Sequence, residues 1–250
     1  MKEQLYQYLL LLGDSSMILG HRLSELCGHG PNLETDIALT NISLDLFGQV
    51  RNYFQYAARL KGEEATEDSI AFLRYPHEYR NVLLVEQPNT DFAYIMGRQF
   101  LFDSYHLFLL EALMESSDEQ LKAIAHKSIK EVRYHVRFSS EWVKRLGDGT
   151  KESHQRMQEA IDYLWPYSAE LLEETPLEEE MKTLGIGADL NEIKKAYHSN
   201  VNAILQEATL SIPEGQFFHS GGKKGVHSEH LGFILADLQY MQRTYPNMAW

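Results

Sequence analysis

His135 is the residue best placed to do chemistry, and the residue three before it is a hydrocarbon. In the run Lys130-Glu131-Val132-Arg133-Tyr134-His135, the pair Val132 and His135 has an i, i+3 spacing. As Glu-x-x-His, that spacing aims two metal ligands from one helix face into a shared pocket. Valine cannot ligate. Glu25, Leu46 with Gln49, and Asp103 with His106 fall on other helix-forming segments. Oxygen and nitrogen side chains aimed into a helical core suit iron or manganese. A lone histidine on an apolar stripe is, however, more often a hydrogen-bonded core residue than a ligand. On spacing alone both readings of His135 stand. Asp103 and His106 make an acid–imidazole pair at a spacing common by chance, and Glu25 lies one position off a leucine stripe, at the core's edge or outside it.

A different chemistry is suggested by Gly221-Gly222-Lys223-Lys224-Gly225, a glycine-rich basic segment just before a helix-forming stretch. Lys223 and Lys224 near a helix start could receive an anion; the competing reading is a flexible hinge with two exposed lysines. The spacing is not that of a nucleotide phosphate loop. His227 and His230 come next, without a partner acid that would make them a metal pair. There is no Gly-x-Ser-x-Gly elbow, no Cys–His pairing and no dinucleotide fingerprint.

These residues sit on a recurring helical pattern. Leu5, Leu9, Leu12, Leu19, Leu23 and Leu26 predict a helix over about 3–27, stopped by Gly28-His29-Gly30-Pro31. Asn32 is placed to cap a second over about 33–61, with Leu39, Ile42, Leu46, Tyr53, Ala57 and Leu60 inward. Residues from about 62 to 90 break the pattern, apart from a short helix near Thr66 to Leu73. They read as the crossover that a ferritin-like bundle needs between its helical hairpins. A third helix over about 91–116 carries Phe92, Ile95, Gln99, Phe102, His106, Leu109 and Leu113 on one stripe. Ser117-Asp118-Glu119-Gln120 reads as a capping box opening a fourth over about 118–146. Further helices are expected over about 151–173 (with Pro166 as a kink), 189–210 and 227–245. The acidic run from Glu173 to Glu180 reads as solvated linker. The expectation is an all-α, ferritin-like four-helix bundle in a single domain, with a core over about 3–146 and accessory helices over about 151–245.

Composition narrows the class. The 250 residues are 44% hydrophobic, enough for a sizeable core, with a net charge of −13. That acidity argues against nucleic acid or an anionic membrane as partner. The single cysteine, Cys27, rules out an internal disulfide and a multi-cysteine zinc site. The first residues are too polar for a signal peptide, and no apolar run is long enough to span a bilayer, so a cytoplasmic protein is expected.

Several segments taken together resemble a known family. They are Leu11-Leu12-Gly13-Asp14, Asn41 to Gln49, Leu84 to Asn89, Lys130 to Leu146, Ala160 to Pro166, and Gly221 to Gly232. The resemblance is to the phenylacetyl-CoA epoxidase family of phenylacetate degradation, nearest the branch of its C subunit, over nearly the whole chain. The family's catalytic A subunit looks like a di-iron bundle with the order acid, Glu-x-x-His, acid, Glu-x-x-His. Set on that pattern, Glu25 takes the first acid, Leu46 and Gln49 replace the first glutamate and histidine, Asp103 takes the second acid, and Val132 replaces the glutamate before His135. The resemblance thus implies vestigial metal-site positions at Glu25, Leu46, Gln49, Asp103, Val132 and His135. Two irons about 4 Å apart need bridging carboxylates, and hydrocarbon stands where both Glu-x-x-His glutamates would be. Asp103 and His135 are then expected as an internal ion pair or hydrogen bond, with Gln49 satisfying a leftover oxygen.

By the same resemblance, the chain is expected to be a non-catalytic structural subunit of an oxygen- and NADPH-dependent monooxygenase complex. It would carry no cofactor, with di-iron in the catalytic A subunit as its partner and other complex subunits around it. Lys223 and Lys224 would reach CoA phosphates or an acidic partner surface. Two alternatives stay open: an oxidase with a mononuclear metal site of Glu25, Asp103, His106 and His135, and a stand-alone helical interaction protein.

Overall fold

A computed structural model describes residues 1–62, 65–246 and 248, and among them there is helix but no strand. The described residues form α1 (Lys2–Ser24), α2 (Leu33–Lys61), α3 (Glu67–Phe72), α4 (Phe92–Leu113), α5 (Glu119–Gly147), α6 (Lys151–Ser168), α7 (Pro176–Thr183), α8 (Leu190–Glu207) and α9 (Glu229–Thr244). Short 3-10 turns lie at Pro76–Glu78, Leu83–Glu86, Ala169–Leu172 and Gly222–Lys224. This all-α make-up is consistent with a ferritin-like helical bundle. The chain sorts into two compact units, residues 1–88 with 221–250, and residues 89–220. The C-terminal helices are shared out: α9 belongs with α1–α3, and α6–α8 with α4 and α5.

In the first unit, α1 and α2 are antiparallel in a register that repeats along their length. Ser24 Oγ lies 2.8 Å from Ser43 Oγ, Gly20 faces Phe47, Gly13 faces Phe54, and Lys61 Nζ donates to Tyr6 Oη at 3.2 Å. The turn between them is built for its backbone. Gly28, at φ 83°, and Gly30 both donate to the Asp36 carboxylate, and Asn32 Oδ1 accepts from Thr35 N at 2.9 Å. The first two bonds fix the turn, and the last takes up an N–H group that a helix start leaves without an intrahelical partner. The helix α1 ends at Ser24 rather than near residue 27, so Glu25 is its C-cap. From Tyr8 to Gly20 every residue of α1 is buried, whereas α2 keeps one exposed face of mixed character. In the crossover, Thr66 caps α3 through Ser69 N. The helix α9 packs against α3 and the Pro76–Glu78 turn, where Gln239 Nε2 lies 2.9 Å from both Tyr79 Oη and the Arg74 carbonyl.

The second unit is arranged around α4, which is buried without a break from Ile95 to His106 and packs on α5, α6 and α8. The contacts Glu111–Arg133, Asp103–Ser139 and Phe92–Trp142 show α4 and α5 to be antiparallel. Gly97 admits the side chains of Met157 and Leu164 from α6; a Cβ there would meet each at 3.1 Å. Asp118, not Ser117, caps α5, accepting from Leu121 N at 2.8 Å; Ser117 N is bonded instead to the Gly185 carbonyl. The helix expected over about 151–173 ends at Ser168 and tightens into the 3-10 turn. The acidic run is not solvated linker: it contains α7. Thr175 and Glu178 cap each other's backbone N–H groups, and Glu178 is buried. A reciprocal cap of this kind nucleates a helix despite a dense negative charge, which is itself favourable in a helix's first turn.

Candidate functional site

In the second unit, three titratable groups share one buried neighbourhood. Asp103 on α4 is fully buried; Oδ1 accepts from Gln99 Nε2 at 2.6 Å, one helical turn away, and Oδ2 from Ser139 Oγ at 2.9 Å across on α5. Burial pushes its carboxyl up to about 6, while the nearby His135, Ser139 and Gln99 pull the other way. His135 on α5 is fully buried and is an electrostatic neighbour of both Asp103 and His106. His106, one turn on from Asp103, is pushed down to about 3 by burial first and His135 second, so it is neutral at physiological pH. Val132 is fully buried in the same helix face as His135 and Ser139. The Asp103 oxygens are bonded by Gln99 and Ser139, with His135 as an electrostatic neighbour. What the spacing could not show is that Gln99 and Ser139 already occupy both carboxylate oxygens.

In the first unit, Leu46 and Gln49 are buried on α2. Glu25 is exposed at the end of α1 and ion-paired with Arg22 at 3.1 Å. The buried acids here are Asp14 and Glu86, both inside the motifs that carry the family resemblance. Asp14 is gripped by the two terminal nitrogens of Arg74 and by Arg80 N at 2.8 Å. Arg74 in turn lies 4.1 Å over the Tyr79 ring. Its own pKa is raised: burial opposes the charge, but the pull of Asp14 outweighs it. Glu86 Oε1 accepts from Asn81 Nδ2 at 2.8 Å and lies 2.6 Å from His227 Nδ1, and Oε2 accepts from Ser228 N and Oγ. His227 Nε2 must donate, since its neighbour at 3.0 Å is the Tyr79 carbonyl. Arg22 donates twice to the Glu86 carbonyl. Sequence spacing missed this network because its members come from α1, the crossover and the C-terminal segment.

The glycine-rich segment is neither an open cradle nor a loose hinge. A Cβ on Gly222 would stand 2.2 Å from the Asn81 carbonyl oxygen, and one on Gly225 (φ 79°) 2.2 Å from that of His77. The glycines therefore let this turn lie directly on crossover backbone. Lys223 is buried and only Lys224 is exposed, correcting the picture of two exposed lysines. His227 is committed to Glu86 rather than paired with His230.

No group of three or more His, Cys, Asp or Glu side chains among the described residues is placed to hold a metal ion. A mononuclear site of Glu25, Asp103, His106 and His135 does not fit: Glu25 is exposed on its own ion pair and the Asp103 oxygens are already bonded. No helix among the described residues is long and apolar enough to cross a membrane.

Comparison with known proteins agrees with these motifs. The family model described as "Phenylacetic acid catabolic protein" matches residues 1–250. The chain belongs to the phenylacetic acid catabolic protein family. Within that family it is 49% identical, over 247 residues, to the C subunit of the 1,2-phenylacetyl-CoA epoxidase of Escherichia coli (strain K12), covering 99% of each chain. For a phenylacetic acid catabolic protein, the buried Asp14 and Glu86 account for two of the motifs: each is an ionic clamp that holds loop to helix.

Proposed function

We propose that this chain is a structural, non-catalytic subunit of a phenylacetyl-CoA epoxidase complex in phenylacetate catabolism, which docks onto and stabilises a di-iron catalytic subunit. The observation that carries this reading is the fully buried hydrocarbon at Leu46 and Val132, in a chain nearly half identical along its length to the C subunit of such an epoxidase. Where a metal site would need carboxylates, these positions contribute packing; burying each such side chain is worth about 1.5–3 kcal/mol. Asp103, with both oxygens bonded and its carboxyl held near neutrality, is part of that packed interior.

A surface suited to docking lies on the outer face of α2. Leu33, Ile37 and Leu44 are exposed there, and beyond Gly48 on the same face there is open space. An uncharged apolar strip on a helix marks a protein contact, and a glycine within it lets another backbone approach closely. The catalytic subunit is the partner this strip would receive. Lys224 is exposed and would meet a CoA phosphate or an acidic group on that partner, whereas Lys223 is buried and belongs to the turn.

The test is co-purification with the candidate catalytic subunit, then an activity assay with each subunit omitted in turn. Neither alone should turn over substrate, and iron should track with the partner only. About one tightly held iron or manganese per isolated chain, or turnover without the partner, would overturn the proposal. Charge reversal at Lys224 should weaken substrate or partner affinity; no change in either would remove it from the reading.

A further inference from the structure

Two glycine–phenylalanine pairs leave a hollow in the first unit. Gly13 and Gly20 stand seven residues apart on α1, and Phe54 and Phe47 seven apart on α2. A Cβ at Gly13 would lie 2.5 Å from Phe54 Cε1, and one at Gly20 3.0 Å from Phe47 Cε1. Both rings therefore rest on bare helix backbone, and the space between them is not filled. Met17 and Val50 form its floor, Ala71 and Phe72 of α3 its far side. The cavity measures about 320 Å³, with a lining that is mostly hydrocarbon. An apolar cavity of roughly 150 Å³ already takes up benzene, and ligand pockets begin at about 300 Å³. Its mouth is edged by Arg51 and Glu67, themselves paired at 3.3 Å.

Besides the charged Arg51, Glu67 and Asp68, one imidazole lines this space. His21, one turn on from Met17, meets the Phe47 ring edge-on at 4.9 Å between centroids. Burial alone pushes its pKa down to about 4, so the ring is a neutral imidazole with one donor and one acceptor nitrogen at physiological pH. No side chain or backbone group among the described residues hydrogen-bonds it. An anion would find no free counter-charge here, because Arg51 is already engaged by Glu67 and the Asp68 carboxylate also lines the space. A pure hydrocarbon would leave the imidazole unbonded. A hydroxylated ring satisfies both conditions.

We propose that this cavity binds a small uncharged aromatic molecule of one or two rings bearing a hydroxyl, with the rings between Phe47 and Phe54 and the hydroxyl donating to His21. The site lies within the first unit and does not depend on the subunit role proposed for the chain. Such a ligand would stiffen the contact of α3 with the α1–α2 hairpin, since all three helices line the cavity.

The probe is 2-naphthol, an uncharged two-ring phenol at neutral pH, titrated into the full chain by calorimetry beside naphthalene, which lacks the hydroxyl. Saturable binding of one 2-naphthol per chain is expected, tighter than naphthalene by about fivefold, the worth of one neutral hydrogen bond. His21→Leu should erase that preference while leaving naphthalene binding within about twofold, the scale of a small change in apolar contact. Ala71→Phe, which fills the cavity, should abolish binding of both, with circular dichroism and the thermal midpoint confirming a folded chain; Ala71→Leu is the milder variant if the larger ring does not fold. Absence of saturable binding, binding that survives the filled cavity, or a hydroxyl preference that persists in His21→Leu would each overturn the proposal.

Discussion

The two helical hairpins bury acids in opposite ways. In the first unit, Asp14 and Glu86 are held by partners from distant segments: Arg74 on Asp14, and His227 with three further donors on Glu86. Each clamp joins segments far apart in sequence. In the second unit, Asp103 is satisfied by the neutral donors Gln99 and Ser139, with His135 near it and a neutral His106 beside it. The first arrangement is a fixed staple across a long crossover. The second is a titratable cluster inside one regular hairpin, with the donors a metal site would use turned toward one another. A buried acid can be kept either by an opposite charge or by neutral donors that offset only part of the burial penalty, and these two carry different pH signatures.

The contrast can be broken most sharply at Arg74. Arg74→Met leaves Asp14 buried without its counter-charge and should cost about 3–5 kcal/mol; denaturant unfolding measures it, and Asp14→Asn added to Arg74→Met should recover part of the loss. Next is the pH response of the second unit. His106 is neutral in the fold down to about pH 3 but takes up a proton near 6.5 when unfolded. Its contribution to stability is therefore complete above pH 6.5 and falls as pH drops, by roughly 3 kcal/mol at pH 4. The same linkage with the opposite sign holds for Asp103. Its raised carboxyl favours the fold at low pH, and that contribution is lost between its ordinary value and about 6. His106→Gln should flatten the acid limb of a stability–pH curve; an unchanged slope would show that the cluster does not titrate in this way.

Smaller effects sharpen the comparison. Gly13→Ala drives a methyl into Phe54 and should cost about 1–3 kcal/mol by overpacking, read as a lowered thermal midpoint. Ser139→Ala should cost about 1.5–3 kcal/mol at neutral pH through loss of a bond to a charged group, and should move the Asp103 carboxyl further up, visible by carboxyl NMR titration. Ile37→Asp on the exposed face of α2 should change stability by no more than about 0.5 kcal/mol. It should nonetheless weaken, by about tenfold or more, association with the catalytic subunit in a pull-down titration. Unchanged association would free that face from the docking role.

Much of the helix layout was legible because helix signals are local. Asn32 caps α2, and the leucine stripe is buried from Leu5 to Leu23, as spacing required. The failures have local causes too. The run from Glu173 to Glu180 looked solvated by charge count, yet Thr175 and Glu178 make a reciprocal cap that charge alone conceals. On α4 the stripe from Phe92 to Leu113 was right but too narrow, since a helix buried all round has no polar face to mark its edges. For the site, Asp103 and His135 were readable as inward-facing positions on two different helices. Gln99 was placed on the same stripe without being recognised as the donor to Asp103.

By itself the amino-acid order determined the all-helical class and the positions of the long helices. These depend on composition, period and capping within a few turns of chain. Only the tertiary structure decided which acids are buried and what holds them. Asp14 waits on Arg74, sixty residues away, and Glu86 on His227, 141 residues away. Glu25, by contrast, falls just past the end of α1 and faces water. Burial and electrostatic pairing are set by what packs against a side chain, and that neighbour is chosen by the path of the whole chain rather than by the residues beside it.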